Sequence, residues 1–251
     1  MSNHTHLFTF NIESWTACAL GLTEPQHWKE WAQHITWSTE GKIDASELPA
    51  MMRRRMSVQS KLSVQAALRV IKNQEIDYLV FSSRHGELHR TATLIESILQ
   101  GEDASPMAFA QSVHNTAAGL TTIASKQSIP LTSIAAGEDT FHNALLDALL
   151  YLDENPNKKV LLVDFDQPLP SVYQQYESND FSDYALAIVL SQGEQYSLAR
   201  STHQDNTPDV QAANPSLTQG LLCLQRIINN DAAWSIEGLG QTWHWNKHHD
   251  A

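Results

Sequence analysis

The chain has 251 residues, sixteen basic against twenty-eight acidic for a formal net charge of −12, and 42% hydrophobic content. That length suits one large domain or two small ones with a sizeable core. The negative field repels a phosphate backbone, which excludes nucleic acid as a partner. The longest apolar run, ALLDALLYL at 144–152, is short and charge-flanked, which excludes membrane insertion.

No basic segment followed by an apolar core opens the chain, so no secretory signal is visible. Cys18 and Cys223 do not make a disulfide framework, and a cytoplasmic location is expected.

In chain order, LFTFNI at 7–12 alternates like a strand. EPQHWKEWAQHI at 24–35 predicts a helix with Trp28, Trp31 and Ile35 on one face. Arg53, Arg54 and Arg55 form the one basic knot, either a solvated helix start or a dock for an acidic partner. The segment 57–73 predicts a helix with Val58, Leu62, Val64, Leu68 and Ile71 roughly aligned, 76–83 a buried strand, and 85–101 a helix closed by Gly101.

A small-residue helix is expected over 107–125, a strand over 130–135 and a helix over 139–152. KKVLLVDF at 158–165 and YALAIVLS at 184–191 are apolar enough to be strands buried on both faces. Residues 197–216 read as a polar surface excursion containing Asp205, Asn206, Pro208 and Pro215; a helix at 217–230 and a Trp-rich tail at 234–245 follow. Strands alternating with helices predict a layered α/β/α fold with a mostly parallel central sheet. Residues 1–195 are expected to carry the main body, and 196–251 to be an appendage packing on the same domain.

The segment PLTSIAAGEDTF at 130–141 has the build of a nucleophile corner, a short strand leading through small residues into a helix start. From Ser105-Pro106 the spacing runs through Asn115, Ala118-Gly119 and Pro130 to Glu138. This pattern resembles the elongating ketosynthases of the thiolase fold without insertion or deletion. Their nucleophilic cysteine would fall on Glu138; a shifted frame, matching SIAAG to ACAAG, would put Ile134 there. The stretch from Arg53 to Leu68, which is similar to an arginine–lysine–alanine helix of these enzymes, LVFSSRHGEL at 79–88, KKVLLVDFDQ and FSDYALAIVLS extend the resemblance over most of 50–191. The family's second half, which carries two catalytic histidines, has no match in the roughly sixty residues that remain.

The resemblance implies mainly the first half of a thiolase-like fold in a catalytically inactive ketosynthase homologue, with no cofactor. It is most similar to the short chain-length factors that accompany aryl-polyene synthesis. Such a subunit pairs as a heterodimer with a β-ketoacyl synthase and shapes that partner's acyl tunnel. Acyl carrier protein would then meet the pair mainly through the partner. Ala108, Phe109, Ser112, His114 and Asn115 fall in the segment that runs along the family's subunit interface. His114 on its own reads equally as a hydrogen-bonded core histidine. Glu138 is expected to be buried at a helix start, a fixed anion accepting backbone N–H groups. Two rivals stand beside this reading. One is a carrier-linked malonyl or acyl decarboxylase or hydrolase using Glu138. The other is a homodimer that binds an acyl ligand.

Two further patterns carry chemistry. His85, Glu87 and His89 have a ligand-like spacing that a helix start after Gly86 would splay, so no metal site is expected. WTACAL at 15–20 contains the string that introduces the family's cysteine, but far too early and with no strand expected before it. Cys18 therefore reads as a small buried hydrophobe.

Overall fold

The computed structural model describes residues 5–202 and 217–248. Strand β1 (Thr5–Ala19) is followed by α1 (Pro25–Gln33), α2 (Ala50–Arg53), α3 (Val58–Ile71), β2 (Tyr78–Ser82) and α4 (Leu88–Leu99). Then come α5 (Pro106–Ala110), α6 (Thr116–Ser125), β3 (Leu131–Ile134), α7 (Thr140–Glu154), β4 (Lys159–Asp166) and β5 (Tyr184–Gln192). The chain continues with β6 (Tyr196–Thr202), α8 (Gln219–Asn229), β7 (Ala233–Gly238) and β8 (Gln241–Lys247). Eight strands form one sheet in the order β3-β2-β4-β5-β1-β6-β8-β7. The stretch from residue 196 onward contributes β6, β8 and β7 to this same sheet.

The sheet is not mostly parallel. Only β2 with β3 and β2 with β4 run parallel, and the five other ladders are antiparallel. Parallel pairing needs a crossover that returns the chain to its starting end. Helices α4–α6 and α7 supply such crossovers around β2, whereas β4 reaches β5 through a loop with a short 3-10 turn (Ser171–Tyr176).

Period-two alternation explains how both faces are buried. On β4, Val160 and Leu162 enter one apolar cluster with Leu145 and Leu149 of α7 and Leu221 of α8. Leu161, Val163 and Phe165 enter the opposite cluster with Leu62 and Ala66 of α3. On β5, Leu186 and Ile188 face the first cluster, and Ala185 and Ala187 the second. Asp164 and Asp166 therefore continue the α7/α8 face at the end of β4.

Helix starts follow local chemistry. Ser57 caps α3 by accepting from Ser60 N at 2.9 Å, and Ser105 caps α5 by accepting from Ala108 N at 3.3 Å. Gly101, at φ +85°, closes α4 as expected. Trp28 and Trp31 are buried under α1, and Trp28 donates to Ala17 O at 3.0 Å. Along α3, Leu62, Val64, Leu68 and Ile71 are buried and Val58 is exposed.

Three other expectations change. The helix over 107–125 is broken: α5 stops at Ala110, and turns closed by Ser112 N to Phe109 O and Thr116 N to Val113 O carry the chain into α6. Strand β1 runs well past residue 12 and takes in WTACA at 15–19, because it pairs with β5 as far as Ala19. Residues 197–202 belong to β6, and the remaining polar stretch with Asp205, Asn206, Pro208 and Pro215 lies outside the described residues. Among the described residues, no helix is long and apolar enough to cross a membrane.

Candidate functional site

The corner after β3 is built by small residues and one threonine. The chain leaves β3 at Ile134, turns at Gly137 with φ +60°, and winds through a 3-10 turn (Gly137–Asp139) into α7. A left-handed φ suits glycine, which has no Cβ to clash. Thr140 Oγ1 accepts from Ala136 N at 2.9 Å and donates to Gly137 O at 2.7 Å, closing the turn.

Glu138 does not fill the role expected of it. Its side chain is 58% exposed, and its ion-pair contact is a loose 4.0 Å from Arg84. The fixed anion is the next residue. Asp139 is 5% exposed and accepts from Trp243 Nε1 at 2.9 Å, Gln219 Nε2 at 3.0 Å, Gln241 Nε2 at 3.0 Å and Leu239 N at 2.9 Å. A 3-10 turn sets successive side chains a third of a turn apart, so two adjacent acids cannot both face inward. The inward one meets donors from α8 and the β7–β8 hairpin. Burial alone would raise the Asp139 carboxyl, but these bonds outweigh it and hold the pKa below the ordinary value.

The same network encloses His142, one turn into α7. Trp245 Nε1 can only donate, so His142 Nε2 accepts from it at 3.1 Å; Nδ1 then carries the proton and donates to Gln219 Oε1 at 2.7 Å. The ring stacks on Trp243 at 4.8 Å. Burial pulls its pKa down to about 4, so the imidazole is neutral near pH 7. With both nitrogens engaged, it has no free lone pair for a substrate proton.

Beside the corner lies a cavity of about 300 Å³. Its wall includes Arg84, Glu138, Asp164, Asp166, Tyr184 and Gln219. Asp164 accepts from Ser82 Oγ and Tyr184 OH, each at 2.6 Å, and Tyr184 OH lies 2.8 Å from Thr218 Oγ1. Asp166 accepts from Ser83 Oγ at 2.8 Å and Arg84 N at 2.9 Å. Burial pushes these carboxyls up to about 6 and about 7. Sequence reasoning missed both. The available signal was two acids at i and i+2 in an otherwise apolar run, which puts them on one buried face.

The other expected site residues lie along α5 and the turns into α6. Ala108, Ser112 and His114 are half-buried; Phe109 is 63% exposed, and Asn115 is exposed. His114 packs on the turn after β2, with Nε2 2.8 Å from Ser83 O. On this side of the molecule, Ile95, Ile98 and Leu99 of α4, Met107 of α5, Val113 of the turns before α6 and Ile123 of α6 are exposed. Among the described residues, β3 pairs only with β2, so its outer edge is unpaired.

The His85–His89 spacing does not converge. Glu87 is buried against Ser57 at 2.8 Å and Ser60, while His89 Nε2 lies 2.8 Å from Pro168 O. Among the described residues, no three His, Cys, Asp or Glu side chains gather as a metal ion would need. Cys18 is buried on β1, and burial pushes its thiol up to about 11; Cys223 is fully buried on α8. Neither stands at the corner. Arg53, Arg54 and Arg55 are exposed, with Arg53 donating to Ala45 O at 3.2 Å.

The sequence profile of the beta-ketoacyl synthase N-terminal domain matches residues 28–246. The complex of the ketosynthase ApeO with its chain length factor ApeC from Xenorhabdus doucetiae contains a chain 30% identical to this one, with a TM-score of 0.85 over 96% of this chain and 100% of that one. The ishigamide ketosynthase/chain length factor superposes with a TM-score of 0.72 at 12% identity over 94% and 98% of the two chains. A beta-ketoacyl synthase from Burkholderia phymatum STM815 superposes at 0.58 with 11% identity over 90% and 72%. The last two likenesses are of fold alone. No curated protein matches the chain.

Proposed function

The chain belongs to the family of the beta-ketoacyl synthase N-terminal domain, and on that premise we propose that it is a non-catalytic chain-length factor. It pairs with a β-ketoacyl synthase and shapes that partner's acyl tunnel in polyketide-type synthesis of the aryl-polyene kind. The observation that carries this reading is the corner itself. Strand β3, Gly137 and α7 are arranged for a nucleophile, yet the two candidate positions hold Ile134 and Glu138. Condensation needs a thiolate to hold the acyl chain and imidazoles to assist decarboxylation. Here the buried histidine of α7 is enclosed and neutral, and both thiols are sequestered. Those tasks fall to the partner.

What this chain offers instead is a surface. An open β3 edge can accept another strand, and the exposed side chains of α4, α5 and α6 are the kind that a protein interface covers. Ala108, Phe109, Ser112, His114 and Asn115 lie on this side, where a small residue such as Ala108 leaves room for a partner's acyl chain. The likeness to a chain from a ketosynthase–chain length factor complex supports the same assignment. Acyl carrier protein is then handled through the partner.

The rival reading, a malonyl or acyl decarboxylase or hydrolase, draws on the cavity that Glu138 lines. Its ion-pair partner is Arg84, a permanent cation that cannot relay a proton. Reconstitution with the source organism's ketosynthase and carrier-bound substrates separates the two. Replacing the partner's cysteine should abolish elongation, while Glu138→Ala should leave it intact. Malonyl release by this chain alone, lost in Glu138→Ala, would establish the rival instead.

A further inference from the structure

The turn at residues 83–86 joins the cavity to the surface proposed above to face the partner, and Ser83 is its centre. The Ser83 hydroxyl has one proton to give and two lone pairs to fill. It donates to Asp166 Oδ1 at 2.8 Å, and accepts from Gly86 N at 2.8 Å and Gln59 Nε2 at 3.3 Å. Asp166 also takes Arg84 N at 2.9 Å. One buried carboxylate thus sets both the side chain and the backbone of this turn. Ser83 N donates to Ile134 O at 3.2 Å, which ties the turn to the end of β3.

His114 sits on the far side of the turn. Ser83 O can only accept, so His114 Nε2 carries the proton that it receives at 2.8 Å. The ring lies over Gly86, whose φ is +54°; a Cβ there would stand 2.8 Å from His114 Cδ2. The turn therefore requires glycine twice, for its backbone and for the imidazole. The segment 111–115 is held at its other end by Arg90 to Gln111 Oε1 and by Thr91 Oγ1 to Ser112 O at 3.3 Å. His114 is its anchor to the sheet.

We infer that Asp166 is a positioning residue for segment 111–115, acting through the turn at 83–86 and the His114 imidazole seated on it. The carboxylate never touches the partner. It fixes the carbonyl that fixes the histidine, and the histidine sets where the partner-facing segment lies. The role of this segment rests on the proposed pairing; the wiring from Asp166 to His114 does not.

Two measurements separate those layers. Amide hydrogen exchange on the isolated chain compares wild type, Asp166→Asn, Ser83→Ala and His114→Ala. Each variant should speed exchange at Thr116 and Gly119, whose N–H groups close onto Val113 and Asn115, by about tenfold, the equivalent of one hydrogen bond. The amides of β5 should stay unchanged. Exchange that rises equally in β5, or stays flat in 111–119 for Asp166→Asn, would overturn the inference. If Asp166→Asn does not fold, Ser83→Ala carries the same test. The second measurement is a double-mutant cycle on affinity for the ketosynthase. Asp166→Asn should weaken binding in the wild-type background and do nothing further in His114→Ala, whereas additive losses would contradict action through His114. Wild type that binds no ketosynthase would sink the pairing while the exchange result still decides the wiring.

Discussion

Asp139 and Glu138 are neighbours with opposite environments, so exchanging each for alanine tests the reading of the corner sharply. Asp139→Ala removes the acceptor for four donors. Two of them regain water, because Leu239 and Gln241 lie near the surface. The other two, on Trp243 and Gln219, are buried. A buried donor left unpaired costs about 1–3 kcal/mol, so the pair predicts a loss of about 2–6 kcal/mol. That is a large part of a total stability of roughly 5–15 kcal/mol. Asp139→Asn keeps the shape but turns an amide N–H toward donors, and should fall between. Glu138→Ala, with its exposed side chain and a 4.0 Å ion pair, should stay within about 0.5 kcal/mol of wild type. Urea unfolding followed by tryptophan fluorescence reads all three. If Asp139→Ala stays within about 1 kcal/mol of wild type, the anchoring role is wrong. The sign with pH also follows. The folded carboxyl titrates below its ordinary value of 3.8, so its contribution is present above that value and is lost as pH falls through the lower folded one.

Asp164 and Asp166 act in the opposite sense: folded values near 6 and 7 against 3.8 mean that the unfolded chain sheds these protons first, so their contribution falls as pH rises from about 4 to about 7. His142, at about 4 folded against 6.5, adds stability over part of that range, so the comparison of interest is thermal melting of wild type and Asp164→Asn from pH 5 to 8. The variant should lose part of the decline; parallel curves would contradict a carboxyl held protonated by burial. Ala108→Phe should shorten the products of the complex by filling space at the partner's tunnel, read by mass spectrometry, and an unchanged product length would remove this segment from the tunnel.

The elements with clear periodicity were legible in the sequence. The apolar runs of β4 and β5 announced strands buried on both faces, and Trp28 and Trp31 marked the inner face of α1. Strand direction was not legible, because antiparallel pairing of β4 with β5 depends on a connection without a crossover helix. The length of β1 was also hidden: WTACA at 15–19 joins it only because β5 is there to pair with it. At the corner, spacing brought attention to residue 138, and chemistry within one turn chose residue 139. The deciding donors, Gln219, Gln241 and Trp243, lie about eighty to a hundred residues away. No local pattern could have weighed them. The Trp-rich tail read as an attachment, yet Trp243 and Trp245 are core residues of β8, beside β6 in the sheet, with Trp243 stacked on His142 and Trp245 meeting it edge-on.

The central claim is that this chain works as half of a pair. Its most direct test is the native mass of the purified species, expressed alone and together with the source organism's β-ketoacyl synthase. A 1:1 complex is the predicted result. A monodisperse protein that ignores the ketosynthase would contradict it.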